Sequence, residues 1–333
     1  MKALFIGGTG VISSACSPLA IERGFELTLL NRGQSKRPVP AGARVIQGDI
    51  RDLASTRDLL AGQSFDVVVD WIAYTPGHIE ADLELFRGRT GQFIFISSAS
   101  AYHKPVRSLP ITESTPLHNP YWQYSRDKIA CEERLIRAYR DEGFPVTIVR
   151  PSHTYDRTLL PFHGGYTMLA RMRRGLPVVV HGDGTSLWVL THHTDFARGF
   201  VGLMGNTHAI GEAVHITSDE LLTWDQIYLA LANAAGVREA ERLLVHIPSR
   251  VIATVDPMWG ASLLGDKSFS VIFDNSKIKR LVPGFQAVVP FWRGAQEIIA
   301  WYDADPARQE VDPGFERQLE RILTLWNRLV ENR

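Results

Sequence analysis

The first thirteen residues, Met1-Lys2-Ala3-Leu4-Phe5-Ile6-Gly7-Gly8-Thr9-Gly10-Val11-Ile12-Ser13, constrain the fold more than any other stretch of the chain. An apolar run over 2–6 breaks into Gly7-Gly8-Thr9-Gly10 and continues into a segment able to form a helix. That is a strand, a tight turn and a helix start. A helix N-terminus carries free backbone N–H groups and the positive end of the helix dipole, so it attracts phosphate. Glycines let the backbone approach a pyrophosphate with no Cβ in the way. The turn therefore predicts a dinucleotide site, against the alternative of a strand–helix turn with no ligand. Ser13 stands where the pattern has its third glycine, which predicts a slightly wider spacing of helix and strand.

Downstream, apolar runs alternate with amphipathic segments as far as about residue 150. Strands are expected at 2–6, 26–30, 44–47, 67–70, 92–97 and 146–150, with helices at 11–23, 55–61, 78–86 and 121–142. Near-continuous Val, Ile, Leu and Phe runs suit strands buried on both faces. The alternation predicts an α/β fold, a Rossmann-type doubly wound parallel sheet with ligands at the carboxyl ends of its strands. Beyond Pro151 the regularity falls. The stretch 152–165 reads as loop, followed by a helix at 166–174, strands at 178–180 and 187–190, and a helix at 194–205. Thr223 and Gln226 form a capping-box pattern opening a helix over 223–235, and 312–331 is a charged amphipathic helix. The expected division is a nucleotide-binding domain of 1–163 and 187–207, with a smaller, mixed C-terminal substrate domain of 164–186 and 208–333.

Charge balance narrows the partners. Lys and Arg number 36, as do Asp and Glu, so the formal net charge is zero and neither a nucleic-acid nor a membrane surface is expected. No apolar run approaches the roughly twenty residues of a membrane span. No charged leader precedes an apolar stretch, and the two cysteines, Cys16 and Cys131, lack metal spacing. The reading is a cytoplasmic protein with reduced thiols. His192-His193 has no third ligand at suitable spacing, and adjacent strand residues point to opposite faces, so no metal is expected.

Tyr124-Ser125-Arg126-Asp127-Lys128 places a tyrosine and a lysine one helical turn apart. A phenol ionises near pH 10, and a neighbouring ammonium lowers that value, which makes a general acid/base suited to hydride chemistry. The run 93–96 ends in Ser97-Ser98 at a strand's carboxyl end. A serine hydroxyl there can hold a substrate oxygen beside the tyrosine.

With these motifs in order, the chain resembles the extended short-chain dehydrogenases/reductases, the NAD-dependent epimerase/dehydratase group, continuously over about 1–235. Gly7-Gly8-Thr9-Gly10-Val11-Ile12 resembles the glycine motif, and Gly48-Asp49-Ile50-Arg51-Asp52 the G-D-x-x-D segment, which suggests that Asp49 contacts adenine. Ile96-Ser97-Ser98-Ala99-Ser100-Ala101-Tyr102 is similar to the strand end that makes Ser98 the catalytic hydroxyl, and Tyr124 and Lys128 fall on the catalytic pair. The resemblance implies further cofactor contacts at Ile50, Ala73, Ser97, Tyr124, Lys128 and Pro151. Gly182-Asp183-Gly184 and His192-His193-Thr194-Asp195 resemble motifs of the substrate side. A homodimer through the 121–142 helix is the corresponding family expectation.

The departures shape the substrate. His103 stands where a glycine follows the tyrosine, and Ala99 and Ser100 follow Ser98 where dehydratases of the group place acids. Trp188 stands where the group often has an arginine gripping the substrate's diphosphate; Arg171, Arg173 or Arg174 are the candidates to replace it. Tyr102, Trp122, His153 and Trp188 are expected to wall the substrate, or else to pack beneath the second domain, and Trp71 is read the same way. After the second strand come Asn31-Arg32 in place of the acid that binds a ribose 2′-hydroxyl, with Lys36-Arg37 beyond, read as a solvated turn. Asn31 does not repel a 2′-phosphate and Arg32 can pair with one, so the cofactor is NADP or NAD, with NADP favoured. The function expected is an epimerase or oxidoreductase acting at a secondary alcohol or ketone of a sugar or sugar nucleotide. The alternatives are an NADP-dependent reductase or dehydrogenase of a non-nucleotide substrate, and a non-catalytic nucleotide- or RNA-binding protein.

Overall fold

In the computed structural model, which describes residues 1–332, seven strands form one parallel sheet. Six are β1 (Lys2–Ile6), β2 (Glu26–Asn31), β3 (Arg44–Gln47), β4 (Phe65–Asp70), β5 (Thr90–Ile96) and β6 (Val146–Pro151). The seventh, Ala213–Ile216, lies on the edge beside β6. Across the sheet the order is Ala213–Ile216, β6, β5, β4, β1, β2, β3. Helices α1 (Ser13–Glu22), α2 (Leu53–Leu59), α3 (Pro76–Phe86) and α4 (Gln123–Glu142) fill the crossovers.

The strands form where β-branched and large apolar residues can be buried on both faces. Alternating side chains supply the two cores. Phe5, Val67, Val69 and Ile94 meet Phe196 and Phe200 on one face. Leu4, Ile6, Val68, Phe93 and Phe95 meet Cys131 and Leu135 on the other. The register sets Phe5 between Leu29 and Val69. Strand order reverses between β1 and β4, and there the carboxyl ends open a crevice. Backbone bonds pin its lips: Gly7 N–H donates to Leu30 at 2.9 Å and Trp71 N–H to Ile6 at 3.1 Å.

The C-terminal half departs from expectation in three places. His153–Tyr155, read as loop, is a strand paired with Leu190–His192. The single strand expected at 187–190 divides into Leu187–Trp188 and Leu190–His192, with different partners. Residues 213–216, assigned to the substrate domain, belong to the main sheet. These short strands carry too few residues for a periodicity of their own; distant partners create them. The capping box forms as read: Thr223 Oγ1 accepts from Gln226 N–H at 3.2 Å, and Gln226 Oε1 accepts from Thr223 N–H at 2.8 Å. A third apolar cluster, including Trp188, Trp224, Trp259 and Phe315, draws most of its residues from beyond position 150. Among the described residues no helix is long and apolar enough to cross a membrane.

Candidate functional site

The glycine turn after β1 opens on a cleft of about 780 Å³, lined also by Asn31, Arg32, Asp49, Ile50 and Tyr74. Gly7 and Gly8 have φ of 98° and 93°, a region that favours glycine. A Cβ on Gly8 would stand 2.7 Å from Leu29 Cδ2. Among the described residues the N–H groups of Thr9, Val11 and Ile12 find no backbone acceptor. The turn thus fits a pyrophosphate on the grounds of shape and donors alike. Ser13 has a specific role in it: its Oγ accepts the Gly10 N–H at 2.8 Å, so one of the turn's donors is already engaged.

Of the other residues expected at the cofactor, Val11 and Ile12 line this cleft. Ala73 and Ser97 line no part of it. Ala73 is buried and serves through its carbonyl, which accepts from Lys128 Nζ at 2.6 Å. The Ser97 hydroxyl donates to Glu132, which forms a buried ion pair with Arg150 at 2.6 Å. Pro151 lies in the adjoining chamber. Arg32, exposed at the rim, stands 4.0 Å from Asp49. Arg37 is no solvated turn residue: it pairs with Asp156 at 2.5 Å and donates to Thr158 at 2.6 Å.

The chamber beside the cleft has a volume of about 220 Å³ and is walled by Ser98, Trp122, Tyr124, His153 and Trp188. Tyr74 of the cleft and Tyr124 of the chamber lie 6.5 Å apart between ring centroids, so the two cavities adjoin. Three hydroxyls run into it. Ser125 Oγ donates to Ser100 Oγ at 2.8 Å, and Ser100 lies 2.9 Å from Ser98 Oγ. With Ser100 donating onward, the Ser98 proton is left for the chamber side, where the Tyr124 hydroxyl also lies. Ser100 and Ser125 are residues the motif reading passed over; only the packing of α4 on the strand end brings them into line.

Lys128 sits behind Tyr124, 1% exposed, and donates to the Ala73 and Ile96 carbonyls at 2.6 and 2.7 Å. An ammonium has three donors, so one remains. Burial pulls its pKa down to about 8. The expected lowering of the Tyr124 pKa is overturned. Burial pushes it up to about 12, opposed by the Ser98 hydroxyl. The lysine ammonium stands 5.8 Å from the centre of the tyrosine ring, and its hydrogen bonds go to two carbonyls, not to the phenol oxygen. Tyr124 is therefore a phenol at neutral pH.

Around the chamber, Trp188 Nε1–H donates to His153 Nδ1 at 3.1 Å. Burial pushes His153 down to about 3, so it is neutral and its Nε2 carries the proton. Tyr102 does not reach the chamber. It is fully buried, its hydroxyl is 3.0 Å from His215 Nδ1, and Arg150 lies over its ring at 4.9 Å. Trp71 lines the cleft instead and packs on Phe5 and Phe200. None of the three arginines expected to replace a diphosphate grip lines the chamber: Arg171 pairs with Glu320, Arg173 with Asp303 and Arg174 with Glu316. His192 and His193 do not point apart, because the first ends a strand and the second begins a helix; their rings are 4.7 Å apart. Among the described residues no group of three or more His, Cys, Asp or Glu is arranged to hold a metal ion.

Comparison with known proteins fits this arrangement. The chain is 26% identical to 2'-dehydrokanamycin reductase of Streptomyces kanamyceticus over 297 residues, 86% of this chain and 80% of that one. It is 27% identical to the chloroplast stem-loop binding protein of 41 kDa b of Arabidopsis thaliana over 259 residues, covering 74% of this chain and 65% of that protein. The structure of epimerase Mth375 from Methanothermobacter thermautotrophicus superposes with a TM-score of 0.75 at 17% identity, over 92% of this chain and 94% of that one, a likeness of fold. The model of the NAD dependent epimerase/dehydratase family matches residues 3–217, and the chain belongs to that family, a group of extended short-chain dehydrogenase/reductase enzymes.

Proposed function

We propose that the chain moves hydride between a nicotinamide dinucleotide and a secondary alcohol or ketone on a small carbohydrate-like substrate, as a reductase or dehydrogenase rather than a nucleotide-sugar epimerase. The chamber carries this reading. It measures about 220 Å³, it has Ser98 and Tyr124 in its wall, and among the described residues no arginine lines it. The cation in its wall is Lys267, which already faces Asp266 at 3.9 Å, so a nucleotide-sugar diphosphate would meet a carboxylate beside the ammonium. Retention of the Ser98, Tyr124 and Lys128 cluster supports catalysis over a purely binding role.

A dinucleotide in the cleft would supply or accept the hydride. The chain's residues do the rest. Tyr124, neutral at pH 7, donates its proton to the ketone oxygen as that oxygen becomes a hydroxyl. Ser98 orients the same oxygen through its hydroxyl. Lys128 has one N–H left for the ligand and keeps positive charge beside the phenol. Arg32, exposed at the rim with Asn31 before it, supports NADP. A homodimer through the exposed side of α4 belongs to the same reading, and sedimentation tests it.

The test is to denature the purified protein and identify any released nucleotide. An empty site with preference for NADPH is expected; tightly held NAD would favour the epimerase. Tyr124→Phe is expected to lower turnover by about 10²- to 10⁴-fold with dinucleotide binding intact. Undiminished turnover on an identified substrate would overturn the mechanism.

A further inference from the structure

One turn of the C-terminal half presents opposite charges to the chamber. Leu263–Lys267 is a single π-helical turn, a geometry often associated with functional sites. It is seated from both ends. The Asn119 side-chain amide donates to the Gly265 carbonyl at 2.6 Å, while Asn119 Oδ1 accepts the Trp122 N–H at 3.1 Å. The Lys267 carbonyl accepts from Trp224 Nε1–H at 3.1 Å and from His181 Nε2 at 3.0 Å. A Cβ on Gly265 would lie 2.6 Å from Trp122 Cβ, so the turn sits against that residue only as glycine.

Asp266 and Lys267 consequently both line the chamber, with Trp122 and Trp188. Each Asp266 oxygen faces a different ammonium: Lys104 Nζ is 3.5 Å from Oδ1 and Lys267 Nζ is 3.9 Å from Oδ2. The Lys104 side chain is wholly buried and its ammonium has no hydrogen-bond acceptor. A lysine is costly to bury unless paired, and none of the three catalytic residues uses this one. The Lys267 ammonium also stands 5.5 Å from the Trp122 ring and 5.8 Å from the Trp188 ring.

A carboxylate only accepts hydrogen bonds and an ammonium only donates them, whereas a hydroxyl does both. Two neighbouring hydroxyls on a ring satisfy the two groups together, and indole faces cover the ring's C–H surface. An anionic group would meet Asp266, and a cationic one the two lysines. The volume is below the roughly 300 Å³ lower end of common ligand pockets, which suits one ring. We propose that Asp266 and Lys267 clamp vicinal hydroxyls of an uncharged, single-ring polyol, with Trp122 and Trp188 as its walls. The assignment rests on the hydride-transfer reading only for where the reacting carbon lies.

Calorimetric titration of the full chain at saturating NADP tests the clamp, with myo-inositol and D-glucose as neutral probes, D-glucuronate as the anionic probe and D-glucosamine as the cationic one. Nicotinamide absorbance follows turnover in parallel. The neutral polyols are expected to bind best. Asp266→Asn, and independently Lys267→Met, should weaken them by about tenfold or more. Preference for either charged probe, no binding of the neutral ones, or wild-type affinity in folded Asp266→Asn and Lys267→Met would overturn the clamp. Failure of the hydride-transfer reading looks different: polyols bind through Asp266, yet none turns over.

Discussion

At the scale of single residues, burial decides the protonation chemistry. Lys128 and Tyr124 both lose water, and burial disfavours the charged form of each. The lysine falls to about 8 and the tyrosine rises to about 12. Lys128 is charged below its folded pKa, so activity that needs the ammonium is full below about pH 8 and is lost as pH rises through it. Lys128→Arg is expected to remove that alkaline limb from the pH profile of kcat. The stability effect has the opposite sign. Between about 8 and the ordinary lysine value of 10.5 the folded state binds fewer protons than the unfolded, so this residue's contribution to stability rises with pH there. Below the site, Glu132→Ala leaves Arg150 charged, buried and unpaired. A loss of roughly 3–5 kcal/mol is expected from denaturant unfolding. The cluster of Ser98, Tyr124 and Lys128 was legible in the sequence because each stands at a fixed place relative to a strand end or helix turn. The Tyr102 and Ser97 hydroxyls serve His215 and Glu132 across the fold, and nothing local distinguishes such a hydroxyl from one facing a ligand.

At the scale of elements, the glycine turn works because it is tight on both sides. Gly8 has positive φ and no space for a methyl group against Leu29. Gly8→Ala is expected to cost about 1–3 kcal/mol of stability and to weaken dinucleotide binding together with it. Thermal unfolding with and without NADP checks both; unchanged stability would mean that the turn relaxes easily. The parallel strands and their helices could be read from sequence because long apolar runs and amphipathic periods are local signals. The strands His153–Tyr155 and Leu187–Trp188, and the π turn at Leu263–Lys267, are two to five residues long and owe their form to distant partners. Asp266 and Lys267 stayed invisible for that reason: no spacing links them to Tyr124, and only the turn's seat on Asn119 brings them there.

At the scale of the molecule, the sheet is not self-sufficient within the family-matching stretch. Ile278 and Phe285, both beyond residue 217, are buried in the apolar cluster on one sheet face, among Phe196 and Phe200. The chain segment that carries them is tied down: Asn206 donates to the Leu281 carbonyl at 2.9 Å, and a Cβ on Gly202 would meet Val282 Cγ1 at 2.3 Å. On the other side, Tyr102 and His215 lean on Phe273. Removing 218–333 would expose these surfaces, at about 1.5–3 kcal/mol for each large apolar side chain left without its partner. That loss is comparable to the whole stability of a domain once several such contacts go. A chain of 1–217 is therefore expected to lack a cooperative melting transition and to be cut rapidly by protease. The full chain is expected to unfold in a single transition that NADP raises, since a ligand binding only the native state stabilises every part that unfolds with it. A 1–217 chain that melts cooperatively and binds dinucleotide would show that the C-terminal half is an accessory to the sheet, not part of what holds it.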